Sequence, residues 1–79
     1  MEIAKAFGLV IRELRKEVGL IQEQFGLEAD LRRKFVSLLE LGQQPPSLQT
    51  IFKISITLLR QPSEILALVE NRLMNNLPN

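Results

Sequence analysis

Between Gly19 and Gly42 the chain reads GLIQEQFGLEADLRRKFVSLLELG. Glycine is the residue helices favour just past their last turn, so Gly19 closes a helix before this stretch and Gly42 closes one at its end. Inside it, Phe25 with Leu27 or Glu28 on its faces fits a helix of about eight residues, 21–28. Ala29-Asp30-Leu31 breaks that helix, and aspartate is among the few non-glycine residues that tolerate a left-handed backbone. A further helix over 32–41 would bury Phe35 or Val36 with Leu39. A short helix, a turn of about three residues and a second short helix make a helix-turn-helix.

Working outward, helical periodicity continues on both sides. Ile3, Phe7, Val10 or Ile11, and Leu14 recur at three- and four-residue steps, one stripe of a helix over about 2–17. After Gly42, Gln43-Gln44-Pro45-Pro46 is a loop, because two prolines forbid helix continuation. Ser47 suits the N-cap of a fourth helix, 47–59, carrying Leu48, Ile51, Phe52, Ile54, Ile56, Leu58 and Leu59. Pro62-Ser63-Glu64 restarts the chain, proline being suited to a first turn. The fifth helix, 62–74, carries Ile65, Leu66, Leu68, Val69, Leu73 and Met74. The polar, proline-containing tail 75–79 is expected to fray. Phe7, Phe25, Phe35 and Phe52 sit at helical spacing with the apolar stripes and are expected in the core. The expectation is an all-α fold of five helices in a single domain, 1–79.

Composition narrows the function. The 79 residues include no cysteine, histidine, tryptophan or tyrosine. Without cysteine there is no disulfide or thiol nucleophile, and without histidine the commonest metal ligand and general base are missing. The scattered carboxylates have no partner base or nucleophile. No catalytic residue, metal site or cofactor is therefore expected, and the chain is not read as an enzyme. No stretch approaches the roughly 18 apolar residues of a membrane span. Met-Glu-Ile-Ala-Lys lacks the basic start and apolar run of a secretory signal. A soluble binding module in the cytoplasm is the reading that remains.

Net charge is +1, but the charges are uneven. Residues 1–30 hold four bases and six acids, and residues 31–79 hold six bases and three acids. The basic excess concentrates in Arg32-Arg33-Lys34, at the start of the third helix. The macrodipole disfavours cations there by about 0.3–1 kcal/mol each at low salt. Three together do not serve helix stability. A polyanion docking at that end would turn the penalty into attraction, because phosphates match both the helix N-terminus and the basic side chains. Arginine or lysine in a major groove also reads guanine O6 and N7.

Gly19-Leu20-Ile21-Gln22-Glu23, Ala29-Asp30-Leu31, Val36-Ser37, Leu39-Glu40, Gly42, and Pro46-Ser47-Leu48 with Thr50 and Lys53-Ile54 together resemble the XRE/Cro type of helix-turn-helix, the family of the phage repressors. The resemblance runs from Phe7-Gly8 to about Ile65 and includes the opening Ile11-Arg12-Glu13-Leu14-Arg15-Lys16-Glu17. It implies a repressor-like fold whose third helix lies in the DNA major groove, and a homodimer on two half-sites about one helical turn apart. The matching base-reading positions are Arg33, Lys34, Ser37 and Leu38. Gln22 falls where the family places a phosphate or base contact, and Gln43 and Gln44 fall in the loop that approaches the backbone. Glu40 resembles a glutamate that pairs with an arginine of the first helix, here Arg15. Departures are Ile21 at a position where serine or threonine is usual, Leu38 and Leu41 where polar residues are usual, and Asp30 in place of a turn glycine. The apolar surface around Ile21, Leu38 and Leu41 supports an alternative, a protein-interaction module on the same fold.

A chain of this size without staples often gains stability by dimerising. In the fifth helix the apolar set follows two overlapping stripes, one through Ile65 and Leu68 and one through Leu66, Val69, Leu73 and Leu77. One stripe suffices to dock on the domain, so Ile65, Leu66, Val69 and Leu73 are expected at a two-fold interface. The leading reading is a dimeric repressor or autoregulator on a double-stranded DNA operator, cytoplasmic and nucleoid-associated.

Overall fold

The computed structural model describes residues 1–75. Five helices follow in order: α1 (Ile3–Glu17), α2 (Gln22–Ala29), α3 (Arg33–Glu40), α4 (Leu48–Thr57) and α5 (Pro62–Met74). The all-α, five-helix class is thus the one the sequence implied. Residues 76–79, including Leu77 and most of the tail expected to fray, lie outside the described residues.

Helix α1 is the spine. Its stripe of Ala6, Phe7, Val10, Ile11 and Leu14 is buried against Phe25 of α2, Val36 and Leu39 of α3, Ile54 and Leu58 at the end of α4, and Ile65 and Val69 of α5. Helices α3 and α5 pack directly on α1, while α2 packs on α3 and α4. Two small residues permit the closest approaches. A Cβ at Gly8 would stand 2.4 Å from the Leu39 carbonyl oxygen and 2.6 Å from that of Glu40, so only glycine lets α1 lie this near the end of α3. A Cβ at Gly42 would stand 2.7 Å from Lys5 Cα, which holds the loop after α3 against α1.

Four helix ends close in the same way. The backbone N–H of Leu20, Leu31, Gln43 and Arg60 donates to the carbonyl of Arg15, Gly26, Leu38 and Ser55, in each case five residues back. This six-to-one closure needs a left-handed residue just before the donor. Those residues are Gly19, Asp30, Gly42 and Leu59, with φ of 79°, 57°, 73° and 57°. At the starts, Ser47 Oγ accepts from the Thr50 N–H at 3.1 Å, and the Glu64 carboxylate accepts from the Gln61 N–H at 3.1 Å. Ile21 and Arg32 provide no side-chain cap.

Three expectations change. Phe52 is exposed rather than core, as are Leu48, Ile56 and Leu59. The apolar set of α4 forms two stripes, Thr50-Ile54-Leu58 facing inward and Leu48-Phe52-Ile56 outward. Residues two apart stand about 200° apart around a helix, so a single core cannot take both. The helix also stops at Thr57, short of residue 59, because Leu59 turns left-handed. Third, Ile65 and Val69 are enclosed by this chain's own core, so they are unavailable to a partner; of the four residues expected at the fifth-helix interface, Leu66 is exposed and Leu73 half-buried. Helix α5 docks with a stripe wide enough to use both, flanked by the ion pairs Arg72–Glu13 and Arg60–Glu17 to α1.

Candidate nucleic-acid interface

The turn between α2 and α3 is set by Asp30, whose left-handed backbone reverses the chain within three residues. Gly26 leaves room for it: a Cβ there would lie 2.6 Å from the Leu31 carbonyl oxygen. Val36 and Leu39 then anchor the inner side of α3, which leaves the opposite side outward.

Glu40 ties three helices together beneath that surface. Arg15 donates to it twice, Nε to Oε2 at 2.6 Å and an Nη to Oε1 at 3.0 Å. Both side chains are buried, at 9% and 3% exposure. The remaining Nη of Arg15 donates to the Leu20 carbonyl at 2.9 Å, which also fixes the entry to α2. Gln22 Nε2 donates to Glu40 Oε1 at 3.0 Å. Glu40 therefore accepts from α1 and α2 while standing on α3. With opposite charges cancelled and donors matched, the network sets the angle between the two helices of the motif.

Above this buried pair the surface is cationic. Arg32, Arg33 and Lys34 are exposed, and among the described residues none of them forms an ion pair. Arg32 provides no side-chain cap to the first turn of α3, so the backbone donors of that turn and the three cations lie at the same end of the helix. Ser37 and Leu38 are half-buried on the same helix, while Gln43 and Gln44 are exposed in the following loop. Arg12, Arg15, Gln22, Ser37, Glu40 and Leu41 line one shallow depression. Arg32 and Arg33 share another with Glu23, Leu27, Asp30 and Leu31. Asp30 is nearly fully exposed and lies 3.4 Å from Lys53 Nζ, so α4 offsets the negative charge at the turn.

Sequence reasoning overlooked Arg12. It is exposed on the rim beside Gln22 and Ser37. Its spacing of three from Arg15 put it on the same face of α1, and that was the available signal. Gln22, expected at a phosphate or base contact, also donates from its amide nitrogen to Glu40 and so belongs to the buried network as well. Ile21 and Leu41 are exposed, and Leu38 is half-covered.

Among the described residues there is no group of side chains suited to hold a metal ion. Among the described residues no helix is long and apolar enough to cross a membrane.

A helix-turn-helix family model matches residues 11–65, from the middle of α1 to the start of α5. The chain belongs to the XRE/Cro-type helix-turn-helix family of DNA-binding transcription regulators. Among curated proteins it is similar to control protein C.BamHI from Bacillus amyloliquefaciens, 38% identical over 61 residues that cover 76% of this chain and 75% of that one. Among solved structures it is similar to the restriction-modification controller protein C.AhdI from Aeromonas hydrophila, with a TM-score of 0.76 and 37% identity over 78% of this chain and 94% of that one. The clp gene regulator ClgR from Corynebacterium glutamicum superposes with a TM-score of 0.87 over 95% of this chain and 81% of that one. At 16% identity it speaks to the fold alone.

Proposed function

We propose that this regulator binds a specific double-stranded operator as a homodimer, with α3 in the major groove, and acts as a repressor or autoregulator in the cytoplasm on nucleoid DNA. A relative named as a control protein and another named as a restriction-modification controller protein support a control role of that kind. Arg33, Lys34, Ser37 and Leu38 meet base edges. Arg12, Gln22, Arg32, Gln43 and Gln44 follow the flanking phosphates, Gln22 through the second N–H of the amide nitrogen that donates to Glu40. No catalytic step is assigned to any residue.

The observation that carries this reading is the unpaired, exposed triplet at the uncapped start of α3. Nothing in the fold needs three cations there, and the helix macrodipole opposes them. A phosphate backbone supplies the missing countercharge, and major-groove guanine supplies paired acceptors for an arginine.

The test is a gel shift on the chain's own upstream DNA across a salt series. The logarithm of the binding constant should fall linearly with the logarithm of salt concentration, with a slope near −0.9 for each phosphate contacted. Arg33→Ala and Lys34→Ala should each lose about 1–3 kcal/mol of discrimination against mismatched sites while keeping the circular-dichroism spectrum of the parent. Equal affinity of both variants for the cognate site refutes the assignment of α3.

A further inference from the structure

The outward side of α3 is not uniformly polar. Successive helical residues turn by about 100°, so Lys34, Leu38 and Leu41 stand about 160°, 200° and 140° around the axis from the buried Val36. Leu41 keeps this register although it follows the last helical residue. Its backbone is still helical (φ −82°, ψ −6°), and its N–H donates to the Ser37 carbonyl at 3.0 Å. One stripe thus runs from a lysine to two leucines, with Ser37 at its edge. Leu41 is 58% exposed and Leu38 half-buried. Among the described residues, neither leucine packs on the core that Val36 and Leu39 enter.

Cations fence the two leucines. Lys34 stands one turn before Leu38, Arg32 and Arg33 are exposed at the same end of α3, and Arg12 shares with Gln22 and Ser37 the depression that Leu41 lines. Glu40, the carboxylate of that depression, is already held by Arg15. The centre of a protein–protein contact is depleted in charge, so an apolar pair set among these cations fits a protein partner poorly. The DNA major groove offers the matching combination. Phosphates run along its walls, and each thymine presents an apolar C5-methyl group on its floor. An apolar side chain is what answers that methyl, and on this stripe the apolar side chains are Leu38 and Leu41.

From this we infer that Leu38 and Leu41 select thymine in the operator, their side chains closing over C5-methyl groups beside the base pair that Arg33 or Lys34 contacts. The inference rests on the reading of α3 as the major-groove helix, and adds to it a preference set by a methyl group rather than by a hydrogen bond. The two leucines are three residues apart, about 4.5 Å along the helix, close to the ~3.4 Å rise between base pairs. They therefore meet methyls on neighbouring base pairs. Uracil keeps the O4 acceptor and the pairing of thymine and lacks only the methyl. It separates this contact from every hydrogen bond made to the same base.

The probe is the chain's own upstream DNA. Footprinting locates the protected half-sites, and each thymine in them is replaced in turn by deoxyuridine in a synthetic duplex for gel shift. The wild type should lose about fourfold in affinity at each contacted thymine, the worth of one buried methyl. Leu38→Ala and Leu41→Ala should each bind the thymine and uracil duplexes alike at one of those positions while keeping the circular-dichroism spectrum of the parent. Comparing the four affinities of each leucine–methyl pair removes any general effect of uracil on duplex shape. If every replacement leaves wild-type affinity unchanged, the methyl contact is wrong, and the loss of binding in Arg33→Ala reports separately that α3 is the reading helix. If a replacement matters but its cost persists in both leucine variants, other residues read that thymine and the assignment to Leu38 and Leu41 is overturned. If the wild type shifts none of the duplexes, the inference falls together with the reading of α3.

Discussion

Replacing Glu40 by glutamine tests the group on which the geometry of the motif depends. The carboxylate accepts two hydrogen bonds from Arg15 and one from Gln22. A glutamine has the same shape, but one oxygen becomes a donor, so an N–H must then face Arg15 or Gln22. The guanidinium cannot deprotonate, and at 9% side-chain exposure it cannot turn to water. Breaking a buried pair by removing one partner costs about 3–5 kcal/mol. Arg15 keeps the Leu20 carbonyl and one amide oxygen, which argues for the lower end, about 3 kcal/mol. A domain of this size carries a total of about 4–12 kcal/mol. Each kilocalorie moves its midpoint by about 4–8 °C, so the melting temperature should fall by roughly 12–24 °C.

The assay is thermal unfolding followed by circular dichroism at one fixed protein concentration, since a dimer's midpoint depends on concentration. Arg15→Met, Glu40→Leu and their combination form a separate double-mutant cycle. With both charges gone no uncompensated ion remains, so the double variant should lose less than the sum of the single losses. A Glu40→Gln midpoint within about 3 °C of the parent would refute the reasoning, because a drop that small amounts to under 1 kcal/mol. Losses that simply add would refute the coupling.

Gly8→Ala should destabilise by about 1–3 kcal/mol in a thermal melt, because its Cβ would meet two backbone carbonyls of α3 that no side-chain rotation can move; a rise in stability from alanine's better helix propensity would contradict this contact. Ile21→Ser should raise stability by about 0.5–2 kcal/mol by giving α2 the side-chain cap it lacks, read from the denaturant midpoint. Asp30→Asn keeps a residue that tolerates the left-handed turn and frees Lys53. It should tighten DNA binding at low salt with a stability change under about 1 kcal/mol, and unchanged affinity across the salt series would show that this charge does not face the DNA.

The order of helices was legible because each punctuation mark has a local cause. Gly19, Asp30 and Gly42 tolerate the left-handed turn, Pro45-Pro46 stops propagation, and Ser47 caps. The cationic triplet was legible for the opposite reason: it conflicts with local helix physics, and the conflict points outward. Other features left no trace in periodicity. The bond between Gln22 and Glu40 joins residues eighteen apart. The contact of Gly8 with the α3 carbonyls depends on how two helices approach, which no single-helix pattern encodes. Leu59 was the misleading case, since an apolar residue in register with the helix reads as one more helical position, yet its backbone ends the helix.

Helices α4 and α5 differ in how their second apolar stripe is placed. Both helices carry more apolar residues than one narrow stripe needs. In α5 the excess residues lie beside one another around the helix, so widening the contact with α1 absorbs Ile65 and Val69 together and leaves Leu66 at its edge. In α4 the excess is offset by two residues, about 200°, and no widening brings Phe52 to the side that buries Ile54. The count of apolar residues was therefore the wrong quantity, and their angular separation was the right one. Adjacent stripes can share a core, whereas opposed stripes need two partners. By that criterion α4, unlike α5, is left facing outward with an apolar surface its own chain does not reach, and Leu59, left-handed at its end, lies on that same surface.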